Sequence, residues 1–321
     1  MINDGGDRVR CTVLGAGVIG LSCAWRLVEA GHSVRLVADR EPGATTSAVA
    51  AAIWYPYLAE PRDRVIRWGA RTYMALSDLA RDEPGSGVRL RSGVELFNQA
   101  VPDPWWSGAV PDLRRLTTPE LPPGLADGWT FTAPVVDMPV YLSWLRAGLV
   151  ARGVELTIRR VTDLDDELAG CDVVINCTGL GSRELVHDHL LEPVRGQVMI
   201  MTNPGLSTWW LHDAGPTDLT YVVPRLETVV LGGTAERGRD DLTPEAATAA
   251  AILARAVALV PALAAARVLA HDVGLRPARA EVRLEREPGS GSAVVHCYGH
   301  GGAGVTLSWG CAAEVVELVA G

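Results

Sequence analysis

Residues 13–20 read Val-Leu-Gly-Ala-Gly-Val-Ile-Gly, which places three glycines in the spacing Gly-x-Gly-x-x-Gly. The apolar run of residues 9–14 predicts a strand before them, and the pattern from Val18 to Glu29 predicts a helix after them. Residues 33–37 predict a second strand, so the glycines lie in the first turn of a βαβ unit. Such a turn binds a dinucleotide pyrophosphate at the helix N-terminus. The predicted contacts are Gly15, Ala16, Gly17, Val18, Ile19 and Gly20.

An acidic residue, Asp39, follows the second predicted strand about 20 residues after the glycine turn. Its carboxylate is expected to accept hydrogen bonds from a ribose 2′-hydroxyl and to repel a 2′-phosphate. This favours FAD or NAD over NADP, although Arg40 comes next. The motif by itself leaves open an NAD-dependent dehydrogenase and a glycine-rich turn without a ligand.

The composition limits the function classes. The chain has 321 residues, of which 48% are hydrophobic, and these are enough to bury the cores of two domains. A net charge of −9 and scattered arginines argue against a nucleic-acid partner. No apolar run reaches the roughly 18–20 residues of a membrane span, and no secretory signal begins the chain. We expect a soluble, cytoplasmic, bacterial protein without a membrane partner; its oligomeric state stays open.

The six cysteines contain no Cys-x-x-Cys pair and lie mostly in apolar segments. Zinc and iron–sulfur sites commonly use closely spaced ligands, so we predict no metal site. The cysteines are expected to be reduced core residues.

Further segments complete the predicted fold. An apolar run ending at Thr178 and Gly179 is typical of a buried parallel strand that leads to a ligand crevice. Another strand is predicted at residues 293–298 and a closing helix at residues 305–318. A nucleotide-binding domain is therefore assembled from three separated pieces, residues 9–53, 135–192 and 275–321.

The intervening pieces, residues 54–134 and 193–274, are predicted to form a second domain. Strands are expected at residues 196–201, 221–224 and 228–233, which indicates a mixed, largely antiparallel sheet. Thr243 is expected to cap a helix that begins at Pro244 and runs toward residue 260. The predicted fold class is α/β.

Six stretches of the chain together resemble the D-amino-acid oxidase family. They are residues 15–22, 38–40, 50–57 (AAAIWYPY), 273–279 (VGLRPAR), 283–287 (RLERE) and 296–304 (HCYGHGGAG). The resemblance covers nearly the whole chain. It implies a Rossmann-like FAD-binding domain, a substrate-binding domain, and oxidation of D-amino acids by oxygen through hydride transfer to flavin N5. The products would be 2-oxo acids, ammonia and hydrogen peroxide.

The resemblance also implies roles for single residues. Arg276 would pair with the substrate carboxylate, Tyr221 would donate its hydroxyl to the same carboxylate, and the Gly302 carbonyl would accept from the amino group. Tyr55 and Trp210 would line the side-chain pocket. Besides the glycine turn, non-covalent FAD would contact Asp39, Arg40, Thr46, Ser47, Ala52, Ile53, Val161, Thr178, Gly179, Arg276, Gly301, Gly302, Ala303, Gly304, Val305 and Thr306. A guanidinium binds a carboxylate through two parallel hydrogen bonds, which independently supports the role of Arg276.

The chain departs from the family pattern in the substrate pocket. Thr217 stands where animal members carry a second tyrosine on a lid, and Tyr55 replaces a family glutamine. An acidic substrate side chain would need an additional cation, but the positions aligned with that role, Trp210 and Ala235, are neutral. Neutral D-amino acids are therefore favoured, although Arg237 is close in sequence.

Other functions stay open. They are a D-aspartate oxidase, a glycine oxidase, and a flavin-binding protein without activity. His296 and His300 are expected to support the glycine loop rather than to act as a general base, because hydride transfer leaves only an ammonium proton to be removed.

Overall fold

The computed structural model describes residues 8–214, 219–289 and 293–321. In this part of the chain no helix combines the length and the apolar character needed to cross a membrane. The helices are α1 (Val18–Glu29), α2 (Thr46–Val49), α3 (Arg62–Asp82), α4 (Met138–Ala151), α5 (Leu164–Leu168), α6 (Ser182–Leu185), α7 (Ala246–Leu259) and α8 (Gly304–Ala320). The strands are β1 (Arg10–Leu14), β2 (Ser33–Ala38), β3 (Val88–Phe97), β4 (Arg114–Arg115), β5 (Asp127–Val136), β6 (Leu156–Ile158), β7 (Val173–Asn176), β8 (Glu192–Thr202), β9 (Trp209–Asp213), β10 (Leu219–Pro224), β11 (Thr228–Gly232), β12 (Glu236–Arg237), β13 (Val268–Ala278), β14 (Arg283–Arg286) and β15 (Val294–Tyr298).

The first sheet contains the predicted βαβ unit. Within the described residues its strands follow the order β14-β15-β7-β1-β2-β6, and all neighbours are parallel except β14 and β15. The chain passes from β1 to β2 on one side and later returns to β7 on the other, so β1 is the topological switch point. Ligands of open α/β sheets bind at the carboxyl ends of the strands at such a point, which is where the glycine turn lies.

The second sheet is mixed and largely antiparallel, as predicted. In the described part of the chain its order is β12-β8-β11-β10-β9-β3-β5-β4, and β13 pairs with β8. The pair β3–β9 is parallel. One face of this sheet packs against α7, and the other carries an aromatic cluster that includes Trp54, Trp106 and Trp209. The aromatic face is directed toward the first sheet and closes the cavity described below.

Two of the predicted domain boundaries fall inside strands of the second sheet. β13 belongs to the second sheet throughout, because its residues up to Ala278 pair with β8, so the predicted boundary between residues 274 and 275 falls inside a strand. β5 likewise continues two residues beyond the boundary after residue 134. The residues of the long helix α3 were assigned to the second domain, yet Trp68 donates to Glu314 of α8 (2.6 Å). α3 therefore connects the two domains.

The start of α7 also differs from the prediction. The helix begins at Ala246 with Glu245 as its N-cap, and not with Thr243 as the cap. The carbonyl of Thr243 instead accepts a hydrogen bond from the buried Arg195 (2.6 Å). Arg195 is also ion-paired with Glu236 (2.6 Å). These contacts of Arg195 hold the segment around Thr243 in a non-helical conformation before α7 begins.

Candidate active site

A cavity of about 790 Å³ runs from the carboxyl end of β1 to the aromatic face of the second sheet. The glycine turn and Asp39 line one end, and Tyr221 and Arg276 line the other. The cavity therefore joins the residues that the sequence predicted for a dinucleotide to those it predicted for a substrate.

The backbone shapes the nucleotide end. Gly15 has φ +104°, and a Cβ on it would lie 2.5 Å from the carbonyl oxygen of Cys177. A Cβ on Gly20 would overlap the carbonyl oxygen of Gly15, so α1 packs directly on the turn. Gly17 is the N-cap of α1 and lines the cavity, so the positive end of the helix dipole faces the cavity. Because Gly17 has no side chain, no side-chain acceptor occupies this end of the helix. This cradle fits a pyrophosphate, which approaches closely only where side chains are missing.

Asp39 stands directly after β2 and lines the same end. A hydrogen bond from Arg40 (2.7 Å) lowers the pKa of the Asp39 carboxyl, which is therefore ionised at neutral pH. An ionised carboxylate accepts hydrogen bonds from ribose hydroxyls. Arg159 and Arg160 line the cavity beside it, although the sequence analysis did not single them out.

The second glycine loop connects β15 to α8. Gly301 has φ +54°, and a Cβ on it would overlap the carbonyl oxygen of Leu58. A Cβ on Gly302 would lie 2.5 Å from the ring of Tyr57. The loop can thus lie flat against the segment of residues 55–58 and present its backbone to the cavity, as a flat isoalloxazine ring requires.

Two strand glycines make room for the substrate-binding side chains. The guanidinium of Arg276 crosses Gly196 on β8, where any Cβ would collide with it, and its Nη1 donates to the Thr234 carbonyl (2.9 Å). The ring of Tyr221 crosses Gly232 on β11 in the same way. Arg276 lies near enough to the Tyr221 hydroxyl for its positive charge to act on the pKa of that group, and both side chains line the same part of the cavity.

The tyrosine hydroxyls at this point are neutral. Burial raises the pKa of Tyr221, although the positive charge of Arg276 acts in the opposite direction. Burial likewise raises the pKa of Tyr57, a cavity residue that the sequence analysis did not select. Both hydroxyls remain hydrogen-bond donors in the physiological range, which suits a site for a carboxylate.

The sequence profile of the family described as FAD dependent oxidoreductase matches residues 10–318. The chain belongs to this family. A D-amino-acid oxidase of Rubrobacter xylanophilus is 53% identical to it over 96% of this chain and 95% of the relative. A D-amino-acid oxidase of Streptomyces coelicolor is 44% identical over 95% of each chain. Human D-aspartate oxidase is 37% identical over 98% of this chain and 95% of its own length.

A solved structure gives the same architecture. Glycine oxidase from Geobacillus kaustophilus superposes with a TM-score of 0.80 at 21% identity, covering 97% of this chain and 95% of that one. Because the chain belongs to the FAD-dependent oxidoreductase family, FAD is its cofactor, and the geometry of both glycine loops fits it. α1, Asp39 and the loop of residues 299–304 would hold its pyrophosphate, ribose and ring system respectively.

Most residues predicted to bind FAD in this oxidoreductase line the cavity. Besides the positions already described these are Ala16, Val18, Ile19, Thr46, Ser47, Ala52, Ile53, Val161, Thr178, Gly179, Gly304 and Val305. Gly20, Ala303 and Thr306 lie behind this surface. Ala303 is fully buried, and the hydroxyl of Thr306 bonds the backbone N–H (3.0 Å) and carbonyl (2.9 Å) of Tyr55. These three residues shape the lining and do not form it.

Trp210 does not reach the predicted side-chain pocket. Side chains alternate along a strand, and Leu211 and Tyr221, which pair across β9 and β10, both line the cavity. Trp210 therefore points to the opposite face of the sheet, where it packs against the cluster of Met199, Met201 and α7. Leu211 takes the place in the cavity that was expected for Trp210.

The candidate cation for an acidic substrate is engaged elsewhere. Arg237 forms an ion pair with Glu192 and lines a second cavity on the other side of the Tyr57 segment. Ala235 has a neutral side chain, and Thr217 lies outside the described residues. Among the described residues that line the main cavity, the arginines other than Arg276 follow β2 and β6 at the nucleotide end; they are Arg40, Arg159 and Arg160.

The cavity wall contains a buried acid that the sequence patterns did not predict. Glu95 on β3 is 3% exposed and accepts a hydrogen bond from the hydroxyl of Tyr55. Burial raises the pKa of Glu95 to about 7. Asp213 lines the same part of the cavity and adds to this rise. The alternation of polar and apolar residues in β3 gave no local sign that position 95 faces a cavity.

The cysteines meet in the core of the first domain. Cys23, Cys177 and Cys297 form one group, and Cys297, His300 and Cys311 another, each with ligand atoms within 4.8 Å of one another. Spacing along the chain was therefore a poor guide to their separation in space. Burial raises the pKa of the Cys177 and Cys311 thiols, which favours protonated thiols. All six cysteines are free and buried, as predicted.

Proposed function

We propose that this enzyme oxidises D-amino acids with molecular oxygen. The substrate loses the α-hydrogen with two electrons, the resulting imino acid takes up water to give a 2-oxo acid and ammonia, and oxygen is reduced to hydrogen peroxide. The relatives named D-amino-acid oxidase support this activity, and the meeting of Arg276 with the Tyr221 hydroxyl inside the FAD cavity carries the proposal.

Arg276 and Tyr221 are proposed to bind the substrate carboxylate. Nη1 of Arg276 donates one hydrogen bond to Thr234, and the remaining N–H groups of the fork are suited to a carboxylate. The contact with Thr234 fixes the plane of the guanidinium before substrate arrives, which reduces the loss of side-chain entropy on binding. The neutral Tyr221 hydroxyl adds a third donor.

The amino group is proposed to meet the backbone of the second glycine loop. Gly302 lines the cavity at the loop where the ring system would lie, and its carbonyl is the proposed acceptor. When bound, FAD supplies the acceptor of the α-hydrogen and two electrons. The protein has only to orient the substrate and to receive one ammonium proton, for which water suffices.

The histidines near the loop are proposed to act structurally. Burial lowers the pKa of His296, and its Nδ1 lies 3.4 Å from the amide of Asn176 on the neighbouring strand. His300 is buried beside Cys297. His296 is absent from the described lining of the cavity, which supports a role in holding β15 and the loop.

Enantiomer selection follows from three fixed points. With the carboxylate at Arg276 and Tyr221 and the amine at Gly302, one enantiomer turns its α-hydrogen toward the flavin while its side chain enters the remaining space. D-aspartate is disfavoured, because a second carboxylate would be buried beside Glu95 and Asp213 without a paired cation. A D-aspartate oxidase is the second candidate, supported by the human relative.

The test is peroxide production by the purified holoenzyme across paired D- and L-amino acids. We expect a yellow protein with non-covalent FAD that oxidises D-alanine, D-methionine and D-phenylalanine, with L-enantiomers as the matched control. Release of the flavin by acid precipitation would establish that it is not covalently bound. A colourless protein would contradict the cofactor, and a higher kcat/KM for D-aspartate than for the three neutral substrates would favour the second candidate.

The location is proposed to be cytoplasmic. Six free, buried cysteines are typical of a compartment that keeps thiols reduced.

A further inference from the structure

Glu95 lies in line with the proposed carboxylate site. Gly232, Tyr221, Leu211 and Glu95 pair in succession across β11, β10, β9 and β3, so they form one row over the sheet. Arg276 approaches Tyr221 from the β11 side of this row. Glu95 stands on the opposite side, two strand spacings or roughly 10 Å beyond Tyr221 between Cα positions.

The Glu95 carboxylate is positioned by Tyr55, which is itself held by contacts with two other residues. The hydroxyl of Tyr55 donates to it, and the backbone of Tyr55 is tied to Thr306 in the first turn of α8 by two hydrogen bonds of 3.0 and 2.9 Å. The ring of Tyr55 also contacts Trp106 edge to face, with 5.6 Å between centroids. The carboxylate is thus held at a set place relative to the loop that carries Gly302.

No cationic side chain is paired with Glu95 among the described residues. It is 3% exposed, yet among the residues that the structure describes it forms no salt bridge. Asp213 lines the same part of the cavity and adds negative charge. An ionised carboxylate buried without a counter-charge is costly, and that cost falls when a cation enters the cavity beside it.

We propose that Glu95 and Tyr55 form the subsite for the substrate side chain and that this subsite prefers the cationic D-amino acids D-arginine and D-lysine to neutral side chains of the same shape. The inference rests on the proposed function and names its substrate class. A substrate whose carboxylate is held at Arg276 and Tyr221 directs a long side chain along the row past Leu211. The apolar stem of such a side chain would cover Leu211, and its charged head would reach Glu95.

The test compares D-arginine with D-citrulline, which has nearly the same shape but no charge. In the wild-type holoenzyme, kcat/KM for D-arginine should exceed that for D-citrulline. Glu95→Gln keeps the size and an acceptor for Tyr55 but removes the charge, and it should lower this ratio at least about tenfold. D-alanine, whose side chain is too short to reach Glu95, is the reference substrate that shows each variant to be active.

A matched control removes a charge outside the cavity. Asp63 on α3 is exposed and pairs with Arg67 (3.7 Å), and Asp63→Asn should leave the ratio unchanged. The subsite would be disproved if Glu95→Gln changed the ratio by less than about twofold while D-alanine was still oxidised. If the wild type oxidised no D-amino acid at all, the proposed function itself would fail.

Binding without turnover gives an independent readout. Both 6-aminohexanoate and hexanoate carry a carboxylate for Arg276, but they lack the α-amino group and are not oxidised. Glu95→Gln should weaken 6-aminohexanoate relative to hexanoate, measured from the flavin absorbance of the holoenzyme. Equal losses for the two compounds would contradict a charge-specific subsite even if the kinetics could not be measured.

The pH dependence distinguishes charge from shape. Burial raises the pKa of Glu95 to about 7, so its carboxyl group is mostly protonated and neutral below this pH and mostly ionised above it. The side chains of Tyr55 and Asp213 face Glu95. Asp127 lies on β5, the strand next to β3, and is already paired with Arg115. The D-arginine to D-citrulline ratio should therefore rise between about pH 6 and 8 in the wild type and stay flat in Glu95→Gln. A flat wild-type profile would contradict the proposal.

Discussion

The glycines at the two ends of the cavity serve different purposes. At the nucleotide end the chain approaches the ligand with backbone, and Gly15 and Gly20 stand where any Cβ would meet a carbonyl group. At the substrate end glycines also occur, but Gly196 and Gly232 make room for the side chains of Arg276 and Tyr221 from other strands. The same residue type thus admits a ligand at one end and a protein side chain at the other.

This difference predicts where substitutions act. A change at the nucleotide end should alter cofactor affinity and folding together, because the turn is part of the packing between β1, α1 and β7. A change at the substrate end should affect turnover while leaving the fold and the bound flavin intact. Arg276 and Tyr221 lie on strands β13 and β10, and both line the cavity.

The largest effect is expected for Arg276→Leu. The variant should remain folded and yellow but lose about 30- to 5,000-fold in kcat/KM for D-alanine, because removing one partner of a buried charged pair costs about 2–5 kcal/mol and each 1.4 kcal/mol is about tenfold. Arg276→Lys should lose on the order of 100-fold, since a point charge fixes the carboxylate plane poorly. The measurement is steady-state kinetics together with the flavin spectrum.

Arg237 is the matched control for that experiment. It forms an ion pair with Glu192 and is absent from the lining of the main cavity in the described residues. Arg237→Leu should keep D-alanine oxidation within about twofold. Near-full efficiency in Arg276→Lys, or a large loss in Arg237→Leu, would move the carboxylate site away from Arg276.

Gly20→Ala tests the backbone end. The added methyl would overlap the Gly15 carbonyl, so α1 must shift from the turn, at a cost of about 1–3 kcal/mol or more in the free energy of unfolding. We expect a lower Tm and a substantial loss of FAD affinity. Gly43→Ala is the control, because no atom lies within 4 Å of its added Cβ. Equal behaviour of the two variants would contradict the packing role of Gly20.

The same contrast explains what the sequence could predict. The βαβ unit and its glycine turn are local, and α1 was predicted with its observed bounds, Val18–Glu29. α3 was missed although Val65, Trp68, Thr72 and Leu76 follow helical spacing, since alternating charges conceal this apolar stripe.

The substrate end depends on pairing between distant strands. Arg276, Tyr221 and Gly302 were reached through resemblance, whereas Glu95 was not, because only the register of β3 with β9 brings it beside Leu211. The prediction placed Trp210 in the cavity, but the next residue, Leu211, lies there. Neighbouring residues of a strand face opposite sides of the sheet, so an error of one residue exchanges the two faces. Register of this kind is a tertiary property that no local pattern specifies.

Asp39→Ala tests the side chain that is proposed to bind the ribose at the backbone end. Removing the ionised acceptor should weaken FAD binding roughly tenfold or somewhat more, as expected for a hydrogen bond to a charged group. Titration of the apoprotein with FAD measures this. Asp172→Ala is the control, since Asp172 also pairs with a neighbouring arginine, Arg10 (2.6 Å), but lies outside the cavity lining. Unchanged affinity in Asp39→Ala would remove this residue from the ribose site.

The smallest effect is expected for Tyr221→Phe. In the proposed complex the hydroxyl contacts the carboxylate in the ground state and the transition state alike, so its loss should raise KM for D-alanine about tenfold and change kcat less than about threefold. Tyr73→Phe provides the matched control, because its hydroxyl donates to the Thr132 carbonyl (2.9 Å) and lies outside the lining of the cavity among the described residues. Rapid-mixing measurement of flavin reduction separates binding from chemistry. If reduction slowed by orders of magnitude while the apparent Kd stayed constant, Tyr221 would be acting on the reacting atoms, and the substrate end would contain a proton-transfer group in addition to its carboxylate anchors.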